Sequence, residues 1–348
     1  MRIHLGHHFY GAGNLGDDFM LAGFLDALRT LEPAATFTCC VPFAREPLMQ
    51  RFPTVEWLPY EDATRSRCIE RCDVWLGVGG SPFQSALSRW FIDHLVTDAG
   101  LCARARKPMF FLGVGVQTTD ELSVTDARHV CSQAAGIWTR DVASAERIRA
   151  LIPPPPVFAA GDLAHIFFRN SPPPPARPGC LTVVANFDCG AWTGQSGFLR
   201  ALQTLPASDR IWLAQESRKL PGGERALFAT LPPTDQSRWR LVCPDQPGAN
   251  LSAVLAWWPS GEWLLTARYH AALAGAWAGS KIVVLATNEK LRAAADELDA
   301  PLVTPDADED TVARALASAR PVAAPHQLAD RAHGACAAFL RSAVAHRR

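Results

Sequence analysis

The 348-residue sequence has no net charge, because 34 lysines and arginines balance 34 aspartates and glutamates. A protein that binds nucleic acid or an anionic membrane through its general charge carries an excess of basic residues. We therefore expect no nucleic acid partner. Any site for an anion must be formed locally, by a few side chains.

The sequence also lacks a long apolar run. Its first residues, Met1–His8, contain no apolar segment of the length found in a secretory signal. Elsewhere no run reaches the roughly 18 apolar residues of a membrane-spanning helix. We predict no transmembrane segment and expect a soluble, cytoplasmic protein.

Metal-binding and disulfide patterns are missing too. Ten cysteines are scattered along the chain, and neither Cys39–Cys40 nor Cys68 with Cys72 has the spacing of a zinc ribbon or a CxxC pair. His7–His8 is the one pair that keeps a metal site open as an alternative. We predict buried free thiols, no metal and no cofactor.

What the sequence has is a repeated alternation of strands and helices. With 48% hydrophobic residues, the chain can bury two cores, and its length exceeds what one core usually serves. The alternation predicts two doubly wound Rossmann-like α/β domains that face each other across a cleft. The predicted parts are an N-terminal domain (1–170), a proline-rich linker (171–179), a C-terminal domain (180–325) and a C-terminal helix (326–348) that can cross back to the first domain.

Glycine-rich turns follow three predicted strands of the first domain. The first turn, after strand Ile3–Phe9, contains Asn14, Asp17 and Asp18, the second contains Gly79 and Gly80, and the third is Val114–Gln117. Glycine lets a ligand approach the backbone closely. The two aspartates disfavour a bound phosphate, and they can instead cap a helix or accept a proton from a hydroxylated acceptor. Arg140 ends a further strand and either binds a ligand or pairs with Asp141.

The most informative stretch is Arg268-Tyr269-His270, between the apolar run Trp263–Leu265 and a helix that begins near Ala271. Polar residues at the carboxyl end of a parallel strand lie where such sheets bind ligands. Arginine binds phosphate or carboxylate, and histidine exchanges a proton near neutral pH. The alternative is structural, with Arg268 paired to an acid and His270 capping the helix.

The order of these motifs resembles the polysaccharide pyruvyl transferase family. The resemblance runs from residue 3 to about residue 300, although Tyr269 stands where the family usually has leucine. The matching motifs are Gly13-Asn14-Leu15-Gly16-Asp17-Asp18, Gly77-Val78-Gly79-Gly80, Gly113-Val114-Gly115-Val116, Thr139-Arg140-Asp141, Arg268-Tyr269-His270, Gly279 and Lys290.

The resemblance implies a fold similar to the GT-B glycosyltransferases and a defined reaction. Phosphoenolpyruvate, as co-substrate, would give its enolpyruvyl group to hydroxyls of a sugar, a glycan or a lipid-linked saccharide, forming a pyruvate ketal and releasing phosphate. By position, Arg140, Arg268 and His270 would hold phosphoenolpyruvate, with Asp17 or Asp18 near the acceptor. Ketal formation needs an acid and a base, and the residue types suit His270 as the acid and Asp17 or Asp18 as the base. The other implied substrate contacts are Asn14, Gly79, Gly80, Tyr269 and Lys290.

Two other functions fit the same residues. A nucleotide-sugar glycosyltransferase with a GT-B fold would use Arg268 and Lys290 on a diphosphate and Asp17 as base. A non-catalytic glycan-binding protein would need only complementary polar groups at the strand ends. Function depends on the site rather than on the fold, so the fold cannot separate these alternatives.

Overall fold

A computed structural model describes nine stretches of the chain, which are residues 1–83, 89–116, 121–151, 156–186, 201–203, 205–216, 223–246, 248–304 and 307–346. The chain forms two compact units. The first unit comprises Met1–Ala12, Asp17–Phe167 and His326–Arg348, and the second comprises Gly13–Gly16 and Phe168–Pro325.

The first unit contains a seven-stranded parallel sheet in the order β3-β2-β1-β4-β5-β6-β7. Every residue of β4 and β5 is buried, as expected for strands covered by helices on both faces. The order reverses between β1 and β4, which makes their carboxyl ends the switch point of this sheet. The strands are β1 (Arg2–Leu5), β2 (Thr36–Val41), β3 (Val55–Pro59), β4 (Val74–Val78), β5 (Met109–Val114), β6 (Ala134–Thr139) and β7 (Val157–Ala159).

Seven helices lie along this part of the chain within the described ranges. Two of them, Glu121–Ser132 and Ala164–Asn170, were not predicted from the sequence. The helices are α1 (Leu15–Leu31), α2 (Glu46–Arg51), α3 (Asp62–Arg71), α4 (Trp90–Ala105), α5 (Glu121–Ser132), α6 (Val142–Leu151) and α7 (Ala164–Asn170).

The second unit contains a six-stranded parallel sheet in the order β10-β9-β8-β11-β12-β13. Its order reverses between β8 and β11. The strands are β8 (Arg177–Val184), β9 (Asp209–Leu213), β10 (Arg240–Val242), β11 (Gly261–Thr266), β12 (Lys281–Leu285) and β13 (Leu302–Val303). The described helices are α8 (Glu224–Thr230), α9 (Pro233–Gln236), α10 (Leu251–Ala256), α11 (Tyr269–Ala278), α12 (Glu289–Leu298) and α13 (Glu309–Ser318).

The last helix, α14 (His326–Ala345), groups with the first unit. It packs against β5 and β6, and the rings of Phe110 and Phe339 meet edge to face with centroids 5.4 Å apart. Among the described residues, no helix has the length and apolar character needed to cross a membrane.

The predicted fold class of two doubly wound parallel α/β units is confirmed. The element bounds differ in places. β1 ends at Leu5 rather than Phe9, because the imidazole of His7 turns onto the Val78 carbonyl at 3.0 Å. Gln117 of the third glycine-rich turn lies outside the described residues.

The segment predicted as a linker is partly regular structure. β8 already begins at Arg177, which pairs with Gly261 of β11. The N–H of Ala176 donates to the carbonyl of Ala278 at 2.9 Å, so the proline-rich stretch follows the surface of the second unit. The domain boundary at 171–179 stays a prediction.

Candidate functional site

Arg268 lies where β11 ends and α11 begins, at the strand end that the sequence predicted. Its backbone is extended, with φ −118° and ψ 125°, and it is the N-cap residue of α11. The Thr266 hydroxyl accepts a hydrogen bond from the Arg268 N–H at 2.9 Å and donates one to the Arg268 carbonyl at 3.1 Å. Since β11 neighbours β8, this turn lies at the switch point of the second sheet.

A buried carboxylate anchors the Arg268 guanidinium. Its Nε donates to Oε1 of Glu224 at 2.6 Å, and the side chains of Arg268 and Glu224 are 20% and 0% exposed. The structure therefore shows the predicted alternative in which Arg268 pairs with an acid, and the pair is made through its Nε atom. An arginine also binds anions through the end that carries its two terminal nitrogens, so pairing through Nε is compatible with ligand binding at that end.

A second acid, Glu216, fixes the start of α8. Its carboxylate accepts hydrogen bonds from the backbone N–H groups of Glu224 at 3.0 Å and Arg225 at 3.1 Å. Burial raises the pKa of Glu216, and the hydrogen bond from Arg225 opposes that rise. The sequence interpretation missed both acids. Glu224 follows Gly222-Gly223 at a helix start, where an acid is usually explained by the helix dipole alone.

His270 lies in the first turn of α11 and is buried. Because Arg268 is the N-cap residue, His270 does not cap this helix. A Cβ atom built on Gly16 would lie 2.0 Å from Nδ1 of His270, so the backbone of the first glycine-rich turn lies directly against the imidazole. A side chain at position 16 would displace the ring.

Asn14 lies near the same residues of the second unit. It forms an isolated antiparallel bridge with Glu216, and its side-chain oxygen accepts a hydrogen bond from the Gly16 N–H at 3.2 Å. By sequence Asn14 belongs to the turn after β1, yet Gly13–Gly16 group with the second unit. The bridge places this turn beside the acids that support Arg268.

Tyr269 connects the start of α11 with α12. Its hydroxyl donates to Oε2 of Glu297 at 3.1 Å, and Nζ of Lys290 lies 5.5 Å from the centre of its ring. The rings of Tyr269 and His270 meet edge to face, 5.3 Å apart. The second unit therefore groups five of the predicted site residues, which are Asn14, Arg268, Tyr269, His270 and Lys290.

Arg140 lies in the first unit, directly after β6. Its side chain is 2% exposed, and its Nε lies 3.3 Å from Oδ2 of Asp141, so the predicted alternative of a local pair is realised. The other oxygen of Asp141 accepts a hydrogen bond from the Ser144 N–H at 2.7 Å. A Cβ atom on Gly115 would lie 2.2 Å from a terminal nitrogen of Arg140, which explains the glycine there.

The two aspartates of the first turn have different surroundings. Oδ2 of Asp18 lies 2.5 Å from the guanidinium of Arg51, and both side chains are buried. Asp17 is half-buried in the first turn of α1. An aspartate held against an arginine is a weak base, which counts against Asp18 for proton transfer.

Gly79 and Gly80 have positive φ values of 67° and 74°. A Cβ atom would lie 2.7 Å from Sδ of Met20 at the first position and 2.7 Å from the ring of Phe9 at the second. Packing and backbone conformation thus account for both glycines. Their predicted contact with substrate stays a prediction.

The switch point of the first sheet holds a group of polar side chains that the sequence interpretation did not identify. We call these residues the imidazole cluster, and they are His7, His8, Tyr60, Arg65, His94 and Asp98. The His8 ring lies 3.9 Å from the His94 ring, and the His94 Nδ1 is 2.8 Å from the Tyr60 hydroxyl. Nε1 of Trp75 donates to Oδ2 of Asp98 at 2.9 Å, and Nε of Arg65 lies 3.3 Å from Oδ1.

Burial dominates the electrostatics of the imidazole cluster. Desolvation lowers the pKa of His8 to about 2 and those of His7 and His94 to about 3, and it raises the pKa of Asp98 to about 7. The imidazoles are therefore neutral near neutral pH. Across the described ranges, no group of three or more histidine, cysteine, aspartate or glutamate side chains could hold a metal ion.

One family model matches more than half of the chain. It is described as polysaccharide pyruvyl transferase and covers residues 14–220. A comparison with curated proteins finds no match. The matched range includes both aspartates, Gly79, Gly80, Arg140 and Glu216, and it ends before Arg268.

Solved structures with low sequence identity share the fold. The UDP-GlcNAc 2-epimerase of Neisseria meningitidis, bound to UDP-GlcNAc, is 11% identical with a TM-score of 0.59, over 99% of this chain and 100% of that one. The HepE protein of Anabaena, in complex with UDP and glucose, is 12% identical with a TM-score of 0.59, over 100% and 97%. A sucrose-phosphate synthase from Thermosynechococcus elongatus is 12% identical with a TM-score of 0.56, over 99% and 96%. These likenesses identify the fold as GT-B.

Proposed function

The chain belongs to the polysaccharide pyruvyl transferase family, and we propose that it transfers the enolpyruvyl group of phosphoenolpyruvate to two hydroxyls of a sugar, a glycan or a lipid-linked saccharide. The products are a cyclic pyruvate ketal and phosphate. Phosphoenolpyruvate carries a phosphate and a carboxylate, so its site must supply cationic donors and an acid.

The observation that carries this proposal is the turn between β11 and α11. It presents a partly exposed arginine, positioned by Thr266 and by the buried Glu224, and a histidine two residues later in the same turn. A guanidinium held on one side by a carboxylate keeps a fixed orientation, which reduces the entropy lost when it binds an anion. Arg268 is the proposed donor-binding residue and His270 the proposed acid.

The reaction needs one proton at carbon and two hydroxyl attacks. The imidazolium of His270 gives its proton to C3 of phosphoenolpyruvate, which becomes a methyl group, and positive charge develops at C2. One hydroxyl oxygen bonds to C2 as a base takes its proton. The C2–O bond to phosphate then breaks, and the second hydroxyl bonds to C2. The base passes the first hydroxyl proton to the departing phosphate, and the second hydroxyl proton restores the imidazolium of His270.

Asp17 is the proposed base for the attacking hydroxyl. A carboxylate is an adequate base for a hydroxyl whose proton becomes acidic as the new C–O bond forms. Asp18 is already paired with Arg51 and is assigned to holding α1 against α2. The choice is argued from the ion pair between Asp18 and Arg51.

Arg140 is the proposed second cationic contact for the donor. A donor with two acidic groups suits two arginines better than one. What supports this role is its position after β6, beside the third glycine-rich turn, where Gly115 gives its guanidinium room. The Asp141 pair orients the guanidinium through Nε.

A nucleotide-sugar glycosyltransferase is the second candidate. It is favoured by the GT-B likeness to proteins solved with UDP, UDP-GlcNAc or UDP and glucose. In this reading Arg268 and Lys290 would bind the diphosphate. The family match ranks this candidate second, because that match describes pyruvyl transfer.

Donor choice tests the proposal directly. Phosphoenolpyruvate should raise the melting temperature of the purified chain, and UDP-glucose should not. Phosphate release from phosphoenolpyruvate should then require an added saccharide acceptor, and NMR should show a ketal methyl group on that acceptor. Stabilisation by UDP-glucose alone, with sugar transfer and no ketal, would establish the second candidate instead.

A further inference from the structure

Tyr269 is the residue of the Arg268-Tyr269-His270 turn that departs from the family, which usually has leucine there. Tyr269 is only 3% exposed, whereas the side chain of Arg268 is 20% exposed. A side chain that is almost closed to solvent offers little surface to a donor. The role of Tyr269 in this turn is therefore read from its contacts within the second unit.

Tyr269 contacts two residues of α12. Its hydroxyl donates a hydrogen bond to Oε2 of Glu297 at 3.1 Å, and Nζ of Lys290 lies 5.5 Å from the centre of its ring. Lys290 and Glu297 are separated by about two helical turns, so their side chains lie on the same face of α12. Since α11 and α12 pack against each other, the Tyr269 side chain joins both residues from the neighbouring helix.

The Tyr269 ring and the Lys290 ammonium form a cation–π contact, for which the cation lies within about 6 Å of the ring centre. The hydrogen bond to Glu297 supports this contact in two ways. It holds the ring in one orientation, and a phenol that donates to a carboxylate becomes richer in electrons, which strengthens the attraction of its face for a cation. A leucine at position 269 would supply neither effect.

Lys290 lies in the first turn of α12, after the N-cap residue Asn288. The amino end of a helix carries partial positive charge, so Glu289 suits this turn and a lysine does not stabilise it. The lysine does add to the attraction of this end for an anion. Its long stem loses freedom when it binds a ligand, which weakens affinity. A ring that holds the ammonium in advance reduces that loss.

We propose that Tyr269 is a positioning residue, which holds the Lys290 ammonium for a phosphate group of the donor, and that Glu297 fixes the Tyr269 ring. The inference rests on the proposed function only through Lys290. Both candidate donors, phosphoenolpyruvate and a nucleotide sugar, would present a phosphate to this lysine. Tyr269 then supports another residue and does not itself contact the substrate.

The first test needs no donor. The sequence contains only four lysines, so their side-chain NMR signals can be resolved in protein labelled at lysine. Protons above the face of an aromatic ring shift upfield, and those on Cε of Lys290 should do so in the parent and in Tyr269→Phe but not in Tyr269→Leu. Lys281, whose Nζ lies 5.0 Å from the centre of the Trp263 ring, should keep its shift in all three. An unshifted Lys290 signal in the parent would overturn the proposal.

The second test is calorimetry with phosphoenolpyruvate and UDP-glucose as separate probes. For the probe that the parent binds, Tyr269→Leu should raise the dissociation constant about two- to tenfold, the effect of ordering one long side chain on binding. Tyr269→Phe keeps the ring and should restore most of the affinity. In the Lys290→Met background, Tyr269→Leu should have no further effect. If Tyr269→Leu does not fold, Tyr269→Met replaces it.

Lys281→Met is the matched control, because it removes the same charge from the start of β12. It should leave the dissociation constant near that of the parent. Equal weakening by Lys281→Met and Lys290→Met, or a Tyr269→Leu effect that persists without Lys290, would overturn the proposal. Binding of UDP-glucose alone would contradict pyruvyl transfer, and the same variants would then measure the role of Tyr269 on that ligand. Binding of neither probe would overturn both.

Discussion

The two sheets share the same central strand order but carry different chemistry where that order reverses. At the switch point of the first sheet, buried neutral imidazoles contact one another, a tyrosine and an arginine–aspartate pair. At the switch point of the second sheet, a partly exposed arginine contacts a fully buried glutamate, and a histidine two residues later lies in the first turn of α11. The same topology thus supports a buried polar interior in one unit and, in the other, a partly exposed turn that we propose as the donor-binding site.

The difference shows why position at a switch point is not sufficient evidence for a catalytic role. The side chains of Arg65 and Asp98 are 6% and 0% exposed, so their pair is closed to solvent. The side chain of Arg268 is 20% exposed although its partner is buried. The guanidinium of Arg268 is therefore open to solvent on one side, whereas the Arg65–Asp98 pair is enclosed.

The largest expected effect is on Arg268, once its partner is neutralised. Arg268→Ala alone would leave the Glu224 carboxylate buried and unpaired, which destabilises proteins strongly. In the Glu224→Gln background, Arg268→Ala should lower kcat/KM for phosphoenolpyruvate by roughly 30- to 1000-fold, equivalent to about 2–4 kcal/mol. Steady-state phosphate release measures this.

Two controls accompany that prediction. Glu224→Gln alone should keep kcat/KM within about tenfold of the parent, because Gln still accepts a hydrogen bond from Nε. Arg314→Ala, at an exposed position of α13, should change nothing. Equal activity of Glu224→Gln with and without Arg268 would show that the second switch point is structural, like the first.

His270→Gln is expected to separate catalysis from binding. Glutamine retains size and hydrogen bonding but cannot donate a proton as an acid, so turnover at saturating phosphoenolpyruvate should fall about 100-fold. Calorimetric affinity for phosphoenolpyruvate should stay near that of the parent. Weak binding with normal turnover would reduce His270 to a ligand contact.

The imidazole cluster is expected to determine how stability depends on pH. Burial lowers the pKa values of His7, His8 and His94 to between about 2 and 3 and that of His4 to about 4, so the unfolded chain binds more protons below the ordinary value of 6.5. The free energy of unfolding should therefore fall as pH falls from 6.5, by up to about 1.4 kcal/mol per pH unit for each histidine. Denaturant titrations between pH 4.5 and 7 measure it.

Asp98 acts in the opposite direction and serves as an internal check. Its pKa is raised to about 7, so its contribution is complete below about pH 4 and is lost as pH rises through 7. The single carboxyl group of Asp98 offsets only part of the pH dependence that the four buried histidines produce. His8→Gln should reduce the slope of the free energy of unfolding against pH by about the contribution of one histidine. An unchanged slope would contradict the assignment.

The smallest expected effect concerns the predicted linker. Cleavage there would separate the two units, so that each could be studied by itself. Limited proteolysis should cut first within 171–176, since prolines leave that stretch without a regular ladder of hydrogen bonds. A first cut in a loop of either sheet, with this stretch intact, would count against the boundary.

Much of the fold could be predicted because it depends on local patterns. The alternation of strands and helices predicted both α/β units, and the apolar run Trp263–Leu265 placed Arg268 at its strand end. Glu224 could not be predicted in the same way. Its burial depends on a partner 44 residues away in the chain, which no local pattern encodes.

The imidazole cluster was missed for a related reason. His7-His8 are adjacent in sequence, but His94, Tyr60 and Asp98 reach them only through packing of α3 and α4 on the sheet. Asp18 is the opposite case, a residue to which the sequence assigned a role that its contacts disfavour. Its motif suggested a base, and only the contact with Arg51 showed that the carboxylate is already paired.

The most direct test of the central claim is pyruvyl transfer in deuterated water, followed by NMR of the ketal methyl group. If His270 protonates C3 of phosphoenolpyruvate, the parent should place one solvent deuterium in that methyl group, and His270→Gln should form the same product about 100-fold more slowly. A ketal methyl group without solvent deuterium would contradict the account, as would transfer by His270→Gln at the parent rate.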